Sequence, residues 1–395
     1  MNVKKGSDRA IHLRLCGFNE LNLPIMMLRN LQLLNFRNYS DLNLDFCDGL
    51  NCLTGLNGSG KTNLLDAIHY LSMTRSFFHA SDSQSVKHGE SSMMVRGEFI
   101  SNSSLDVVLC AIKNGQKKTF KFNDTEYDRL SEHIGLIPIV VIAPSDIEMA
   151  LGGGEGRRRF MDSLVSQYDR NYLQHLIRYS DTLSQRNSLL KQFAAKGYAD
   201  WSLMSIYDEQ LDASCSKITQ TRQRFVDEFN PIFAKYYAEL SDGKEIPGLS
   251  YISQFKDGNL IDKLVENRSK DLDLQYTSIG CHRDDLEFEA NGLPLKKYAS
   301  QGQLKTYMCA IRLAQFELLA KHSGKKPLLL LDDVFDRLDN ARVNRLLELV
   351  CSPFFGQVFL SHTDNDRLQL ILSSLEAEFR IFDVKDHQVY TNTAT

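Results

Sequence analysis

The chain has 395 residues, of which 43% are hydrophobic and 24% are charged, and its formal net charge at pH 7 is −4. A chain of this length can bury a large core and is more typical of two structural lobes than of one, so disorder is not expected. Because the net charge gives no overall attraction to polyanions, any binding to nucleic acid requires a local basic face.

The cysteines and the hydropathy pattern predict a cytoplasmic protein without a membrane segment. No apolar run approaches the roughly 20 residues of a membrane span. Residues 1–26 carry scattered charges without a signal-peptide core, and we interpret them as a poorly ordered extension. The cysteines form no C-x-x-C pair and are predicted to be reduced thiols rather than disulfide or zinc ligands. They are Cys16, Cys47, Cys52, Cys110, Cys215, Cys281, Cys309 and Cys351.

The first part of the chain has the pattern of an α/β structure. Leu28–Leu34 and Leu42–Phe46 predict strands joined by a polar turn, and Leu50–Thr54 predicts a strand that runs into a glycine-rich loop. A helix is expected from about Thr62 to Leu71. Further strands are predicted at Met93–Phe99, Leu105–Ile112, Lys118–Phe122 and Ile137–Ala143.

Beyond Pro144 the apolar residues recur at helical spacing. Two long antiparallel helices are predicted, with a break at Gly197–Trp201, and Asn230-Pro231 is expected to kink or end the second. The α/β pattern resumes at Tyr276. The simplest architecture is an α/β lobe built from both chain ends, residues 27–143 and 276–395, with a mainly helical lobe, residues 144–275, inserted between them.

A complete phosphate-binding motif follows the third predicted strand. Residues 55–62 fit G-x-x-x-x-G-K-[ST] between a strand and a helix, the context that makes the motif specific. Its backbone N–H groups and the helix dipole would hold the phosphates of ATP, Lys61 would reach the β- and γ-phosphates, and Thr62 would ligate Mg²⁺. The predicted nucleotide-binding residues are Gly55, Leu56, Asn57, Gly58, Ser59, Gly60, Lys61, Thr62 and Asn63.

A P-loop requires a carboxylate at the end of a neighbouring strand. The apolar run Leu328–Leu331 is followed directly by two carboxylates. Asp332 is predicted to fix Mg²⁺ together with the Thr62 hydroxyl. Asp333 is predicted to polarise the attacking water as a catalytic residue, alongside Lys61. By itself this pattern also fits an apolar strand followed by an acidic turn, and the P-loop favours the catalytic interpretation.

A helix that begins at Ser300 is predicted before this strand. Ser300 and Gln303 fit a capping box, which is the purely structural interpretation. The sharper hypothesis is a second anion site, aimed at the γ-phosphate held by another subunit, because ABC ATPases carry their signature at this position. Ser300, Gln301, Gly302 and Gln303 are therefore predicted to act in trans, and the α/β lobe resembles an ABC-type P-loop ATPase.

The resemblance to ABC ATPases implies roles for two later segments. Leu338 and Asp339 lie where such proteins have the D-loop that crosses the dimer interface. His362 follows the strand Gln357–Leu360, where they have a switch histidine that senses the γ-phosphate. A lone histidine at such a position is also compatible with no function.

Ordered motifs along nearly the whole chain after Met27 closely resemble the RecF family of bacterial recombination-repair ATPases, which are related to SMC proteins. An SMC protein itself would require hundreds of heptad residues between its halves. The matching segments are Asn35–Tyr39, the P-loop with Asn63–Ala67, Ala143–Asp146, Arg157–Asp162, Gln185–Asn187, Gly280–Asp285, Ser300–Gln303 and Asp332–Phe335.

This resemblance implies a weak ATPase that dimerises on ATP and binds duplex and gapped DNA. RecR and RecO are the implied partners, RecA loading is the implied outcome, and hydrolysis would reset the dimer. Basic clusters are candidate DNA contacts, although such runs are often solvated faces. They comprise Lys117, Lys118, Lys121, Arg157, Arg158 and Arg159.

Two other functions are compatible with parts of the pattern. An ABC-type module of a transporter or another complex without DNA would use the same nucleotide site, but it would leave the helical insertion and Asn35–Tyr39 unexplained. A small-molecule kinase would leave Ser300–Gln303 unexplained.

Overall fold

A computed structural model of the chain describes residues 23–78, 81–101, 104–241, 245–254, 260–335, 340–372 and 378–392. Its strands are β1 (Met27–Phe36), β2 (Tyr39–Asp45), β3 (Leu50–Thr54), β4 (Ser92–Ser101), β5 (Ser104–Lys113), β6 (Thr119–Phe122), β7 (Thr125–Glu126), β8 (Ile139–Ile142), β9 (Pro247–Ile252), β10 (Asp285–Ala290), β11 (Leu293–Pro294), β12 (Leu328–Asp332), β13 (Val358–His362), β14 (Phe379–Lys385) and β15 (Gln388–Asn392). Its α-helices are α1 (Lys61–Met73), α2 (Asp146–Leu151), α3 (Gly154–Ser166), α4 (Arg170–Lys196), α5 (Trp201–Ser241), α6 (Leu260–Glu266), α7 (Arg268–Leu274), α8 (Leu295–Tyr298), α9 (Gln301–Ser323), α10 (Asn340–Val350) and α11 (Asn365–Leu372).

A mainly parallel sheet combines strands from both ends of the chain, in the order β15-β14-β3-β13-β12-β8. Only β15 runs antiparallel to its neighbour. Every residue of β3, β8, β12 and β13 is buried, as in strands covered on both faces. The carboxyl ends of β3, β12 and β13 therefore meet at one edge, where sheets of this kind bind ligands.

An antiparallel sheet in the order β2-β1-β4-β5-β6-β7 packs over α1. Buried residues alternate with partly exposed ones along β4, so that one face of the strand meets the core. Gly97 permits this contact, because a Cβ there would lie 2.5 Å from Leu71 Cδ1 of α1. The strands predicted in the first part of the chain are confirmed, and so is the mixed α/β fold.

The helical region is dominated by the packed pair α4 and α5, of 27 and 41 residues. Asp169 caps the start of α4 by accepting from the Tyr172 amide. Gly197 ends α4 with a φ of 65°, so the predicted break between the helices is confirmed. At 1.5 Å per residue α5 is about 60 Å long, which is much shorter than the arm of an SMC protein.

Helix α5 continues past Pro231, so of the two outcomes predicted for Asn230-Pro231, a kink or an end, the end is wrong. Pro231 is exposed and costs the helix one backbone hydrogen bond. The helix continues because Phe233, Tyr236 and Tyr237 of the following turns are buried in the main core. Asn230 uses its side chain to bond both the N–H and the carbonyl of Leu249.

Strand β9 was not predicted and lies within the region interpreted as mainly helical. It pairs antiparallel with β10, and β11 completes a small sheet. The run Pro247–Ile252 is short, and its partner strand is remote in the chain. Local periodicity alone therefore carried too little signal to identify it.

The cysteines of the described ranges are free thiols, and Cys16 lies outside those ranges. In the described part of the chain, no helix is both long and apolar enough to cross a bilayer.

Candidate nucleotide site

The predicted P-loop connects β3 to α1 at the carboxyl edge of the parallel sheet, which confirms its strand–loop–helix context. Gly55, Gly58 and Gly60 have φ values of 146°, 78° and 121°, which residues with a Cβ rarely adopt. Gly60 is also confined sterically, since a Cβ there would lie 2.5 Å from Tyr39 Oη. Glycine is therefore required both for the backbone angle and for the close approach of β2.

Three side chains that flank the loop support it from outside the motif. Asn63 Nδ2 donates to Asn38 Oδ1 at 2.8 Å, which ties the first turn of α1 to the β1–β2 turn. His387, in the β14–β15 turn, lies 2.5 Å from Asn38 Nδ2 and 3.1 Å from the Ser59 carbonyl oxygen. The loop is thus connected to both ends of the chain, and Asn38 is the link between them.

Lys61 is buried at the start of α1. Its Nζ donates to the carbonyl oxygens of Gly55 and Leu56 at 2.6 and 2.8 Å. Burial lowers the pKa of Lys61, and the neighbouring carboxylates of Asp333 and Asp332 act in the opposite direction. The ammonium group therefore lies between the loop carbonyls and the acidic end of β12, where a phosphate chain would meet it.

Asp332 joins the P-loop helix to the parallel sheet. The Thr62 hydroxyl donates to its carboxylate, with distances of 3.0 and 3.1 Å to the two oxygens, and Ser361 Oγ donates at 2.7 Å. Burial raises the pKa of Asp332, while the hydrogen bonds from Ser361 and Thr62 lower it. A hydroxyl and a carboxylate at one point are hard oxygen ligands, so these residues fit Mg²⁺.

Asp333 directly follows β12 in a left-handed conformation, with a φ of 46°. Its N–H donates to Ser361 Oγ at 2.9 Å, which helps to hold this conformation. The strand ends at Asp332, so the turn directs Asp333 away from the buried sheet, and its side chain is half-buried. Two successive carboxylates thus have different surroundings, one in the sheet and one at its edge.

His362 is the last residue of β13 and pairs in register with Thr54, the last residue of β3 before the P-loop. Its side chain is buried, with its ring centroid 5.3 Å from that of Phe335 in an edge-to-face arrangement. The pairing brings His362 to the same edge of the sheet as Lys61 and Asp332.

The helix α9 begins with the predicted capping box, which is confirmed. Gln303 N donates to Ser300 Oγ at 3.2 Å, and Ser300 N donates to Gln303 Oε1 at 2.7 Å. Gln303 Nε2 also donates to Glu245, which precedes β9. Ser300 and Gln301 are exposed, so the N-terminus of this helix is accessible to a second molecule. Leu338 and Asp339, predicted as the D-loop, lie outside the described residues.

The predicted basic DNA contacts fall into two groups. Lys118 Nζ lies 2.7 Å from Asp82, and Arg157 forms two bonds of 2.7 and 2.8 Å to Asp285. Both are mostly buried, with side chains only 13% and 12% exposed, so they already neutralise carboxylates of the same chain. Lys117 and Arg159 are exposed, whereas Lys121 and Arg158 are half-buried.

Residues of the sequence motifs that have no nucleotide role form buried ion pairs with one another and with other residues. These ionic networks were not predicted. Arg222 of α5 lies 2.9 Å from Asp162 and 3.2 Å from Asp284, and it also donates to the Cys281 carbonyl. Arg186 of α4 bonds other carboxylates in the same way. Asp162, Asp284 and Arg186 lie in the matching sequence segments, which could have drawn attention to them. Nothing in the sequence pointed to Arg222, because its partners are remote in the chain.

Comparison with known proteins agrees with this geometry. Residues 27–386 match the family described as the RecF/RecN/SMC N terminal domain. The DNA replication and repair protein RecF of Flavobacterium johnsoniae is 44% identical over 91% of this chain and all of its own. RecF of Phocaeicola vulgatus is 42% identical over 92% of this chain and 98% of its own.

Solved structures give the same result. The recombination mediator protein RecF-ATP of the RecFOR pathway is 32% identical, with a TM-score of 0.85 over 94% of this chain and 99% of its own. An Smc head domain of Pyrococcus furiosus is 16% identical, covers 93% of this chain and 96% of its own, and has a TM-score of 0.55, which shows a shared fold.

The fold and the P-loop edge define an ATPase head of the ABC and SMC type. Matches to RecF itself extend over nearly the whole chain at much higher identity than the match to the Smc head. The chain belongs to the RecF family, whose members act in DNA replication and repair. The alternative of a transporter module is not favoured by these matches.

Proposed function

We propose that the chain binds ATP with Mg²⁺ at the P-loop edge and hydrolyses it slowly. Residues 55–63 would enclose the phosphates, with Lys61 as their cation, and Thr62 and Asp332 would hold the metal. Asp333 would orient the attacking water, and His362 would contact the γ-phosphate. A bound Mg²⁺ would neutralise charge on the phosphates during hydrolysis. The observation that carries this proposal is the contact of the Thr62 hydroxyl with Asp332 beside Lys61.

The site is proposed to be completed by a second copy of the chain. Ser300–Gln303 of one protomer would bind the γ-phosphate held by Lys61 of the other, and Leu338 and Asp339 would cross between them. Two exposed surfaces support this arrangement. Leu56, in the P-loop, has an exposed fraction of 80%, and Tyr298, just before Ser300, has one of 65%. Closure of the dimer would bury these two apolar side chains and so be favoured by the hydrophobic effect.

The ATP-bound dimer is proposed to bind duplex and gapped DNA, with hydrolysis resetting it to monomers. RecR and RecO are the proposed partners, and the proposed outcome is the loading of RecA. Membership of the RecF family supports these steps. Since the net charge is −4, the affinity must come from local phosphate contacts.

DNA binding is expected to require ATP and to weaken steeply with salt. Fluorescence anisotropy on duplex, gapped and single-stranded oligonucleotides, with and without ATP across a salt series, measures both properties. The logarithm of the association constant should fall linearly with that of the salt concentration, because each phosphate contact releases counterions. Equal binding with and without ATP would contradict the proposed coupling.

Replacing Ser300 with arginine is expected to leave ATP binding to the monomer intact and to block dimer closure. The long cation would occupy the position of the γ-phosphate oxygens and the capping hydroxyl would be lost. Isothermal titration calorimetry measures nucleotide binding, and sedimentation velocity measures dimers. Mixing this variant with Lys61→Ala should restore one intact composite site per heterodimer and hence part of the ATPase activity. If the mixture stays as inactive as its components, action in trans is refuted.

A further inference from the structure

A cavity of about 510 Å³ lies away from the P-loop, where α1 ends against α3, α4 and the turn before β10. Its volume falls within the range of ligand-binding clefts. The aliphatic lining residues are Met73, Ile134, Leu173, Leu176 and Leu183. The charged lining residues are Arg75, Glu155, Arg158, Arg159, Asp162 and Arg222.

Most of the charge around this cavity is satisfied internally. Asp162 is paired with the buried Arg222, and Arg158 donates to the Asp284 carbonyl oxygen at 2.7 Å. Burial lowers the pKa of His282 to about 4, so its imidazole is neutral at pH 7. The remaining cations are Arg75 and Arg159, which come from different elements and face the same opening.

Neither remaining arginine is held strongly by the protein. In the described part of the chain, Arg75 is exposed and its guanidinium has no carboxylate within ion-pair distance. Arg159 pairs with Glu155 one turn away, but the two side chains are 68% and 78% exposed. Such an exposed i,i+4 pair is weak because solvent screens both charges, so Arg159 can exchange this partner readily.

The two guanidinium groups also repel each other. Partial desolvation of Arg75 beside the cavity lowers its pKa, and the proximity of Arg159 lowers it further. An anion between two such cations relieves the repulsion and accepts charge-assisted hydrogen bonds from both.

We propose that Arg75 and Arg159 bind phosphates of the DNA backbone at the mouth of this cavity. The inference rests on the proposed function, because the family role in replication and repair selects DNA among the possible anions. The planar guanidinium group donates several hydrogen bonds in a geometry that matches phosphate oxygens. An acidic peptide offers carboxylates with similar geometry, and the experiment below separates it from DNA.

Helix α1 would connect this DNA contact to the nucleotide site. Its first turn contains Lys61 and Thr62, and Arg75 follows its last residue, Met73, by two positions. The helix has 13 residues and is about 20 Å long. The start of this helix and the residue two positions beyond its end would thus contact the two ligands, and any coupling between them must be reciprocal. DNA should therefore tighten ATP binding as ATP tightens DNA binding.

The test is the double variant Arg75→Ala with Arg159→Ala, assayed on duplex DNA with ATP. We expect a loss of roughly tenfold or more in DNA affinity at about 0.15 M salt and a decrease of about two in the salt slope. The matched control, Lys191→Ala with Lys196→Ala, removes the same charge from exposed positions on α4 and should keep the wild-type slope. Both variants should bind ATP without DNA as the wild type does.

The outcomes distinguish this inference from the proposed function. If the wild type binds DNA and the arginine variant binds it with the same slope, the inference is wrong and the DNA function stands. If the wild type itself binds no DNA with ATP, both are wrong. If the arginine variant keeps DNA binding but loses binding to a polyglutamate peptide, the site belongs to an acidic peptide. Replacing both arginines with lysine should restore most of the slope.

Discussion

Lys61→Ala is expected to abolish ATP-induced dimerisation and ATP hydrolysis. The alanine removes the cation that lies between the loop carbonyls and Asp332–Asp333, and the triphosphate would then face carboxylates without a compensating charge. Sedimentation velocity with and without ATP measures the dimer, and phosphate release measures hydrolysis. The exposed Lys117→Ala, which removes the same charge far from the loop in sequence, is the control and should dimerise normally.

An unchanged ATP-dependent dimer in the Lys61→Ala variant would contradict the assignment of the P-loop as the nucleotide site. Loss of the dimer accompanied by a lower melting temperature without ATP would indicate misfolding instead. Circular dichroism of the ligand-free variant therefore belongs to the same experiment.

Arg222→Ala is expected to destabilise the helical region by about 3–5 kcal/mol, the cost of leaving buried carboxylates without their partner. The Arg222 side chain is 2% exposed and that of Asp284 is 0% exposed, so the variant would leave the Asp284 carboxylate buried without its cation. Chemical denaturation followed by circular dichroism measures the change in the free energy of unfolding. Tyr172 accepts a hydrogen bond from Arg222 and would lose it, whereas the bond that Tyr251 donates to Asp284 would remain.

The control for this variant is Arg159→Ala, which removes an exposed arginine from the same region. Its effect should stay within about 0.5 kcal/mol, as is usual for surface positions. Equal denaturation curves for the two variants would show that the buried network contributes nothing to stability.

The nucleotide edge could be predicted from the sequence because its residues form contiguous motifs. The P-loop needs glycines, a lysine and a threonine at fixed spacing, and the apolar run before Asp332 identifies a buried strand. The register of β13 against β3, which brings His362 beside the P-loop, depends only on the order of strands in a known fold class. The capping box at Ser300 is equally local, since its two hydrogen bonds span three residues.

Features that depend on partners far apart in the chain escaped prediction. Strand β9 exists because β10 pairs with it, and α5 passes Pro231 because its next turns are buried against other elements. The partners of the basic clusters were equally hidden in the sequence. The sequence pattern shows Arg157 only as a cation on a helix, and the fold alone brings Asp285 to within 2.7 Å of it. Arg75, in contrast, belongs to no cluster in the sequence.

The position of β3 has a consequence for synthesis on the ribosome. Its neighbours in the sheet, β13 and β14, both come from residues after 357, so the strand leading into the P-loop emerges long before either exists. Until the last part of the chain is made, β3 is an unpaired apolar strand that invites aggregation. The nascent chain thus cannot complete the sheet around the P-loop strand until β13 and β14 have been made, and truncation before Val358 should abolish ATP hydrolysis.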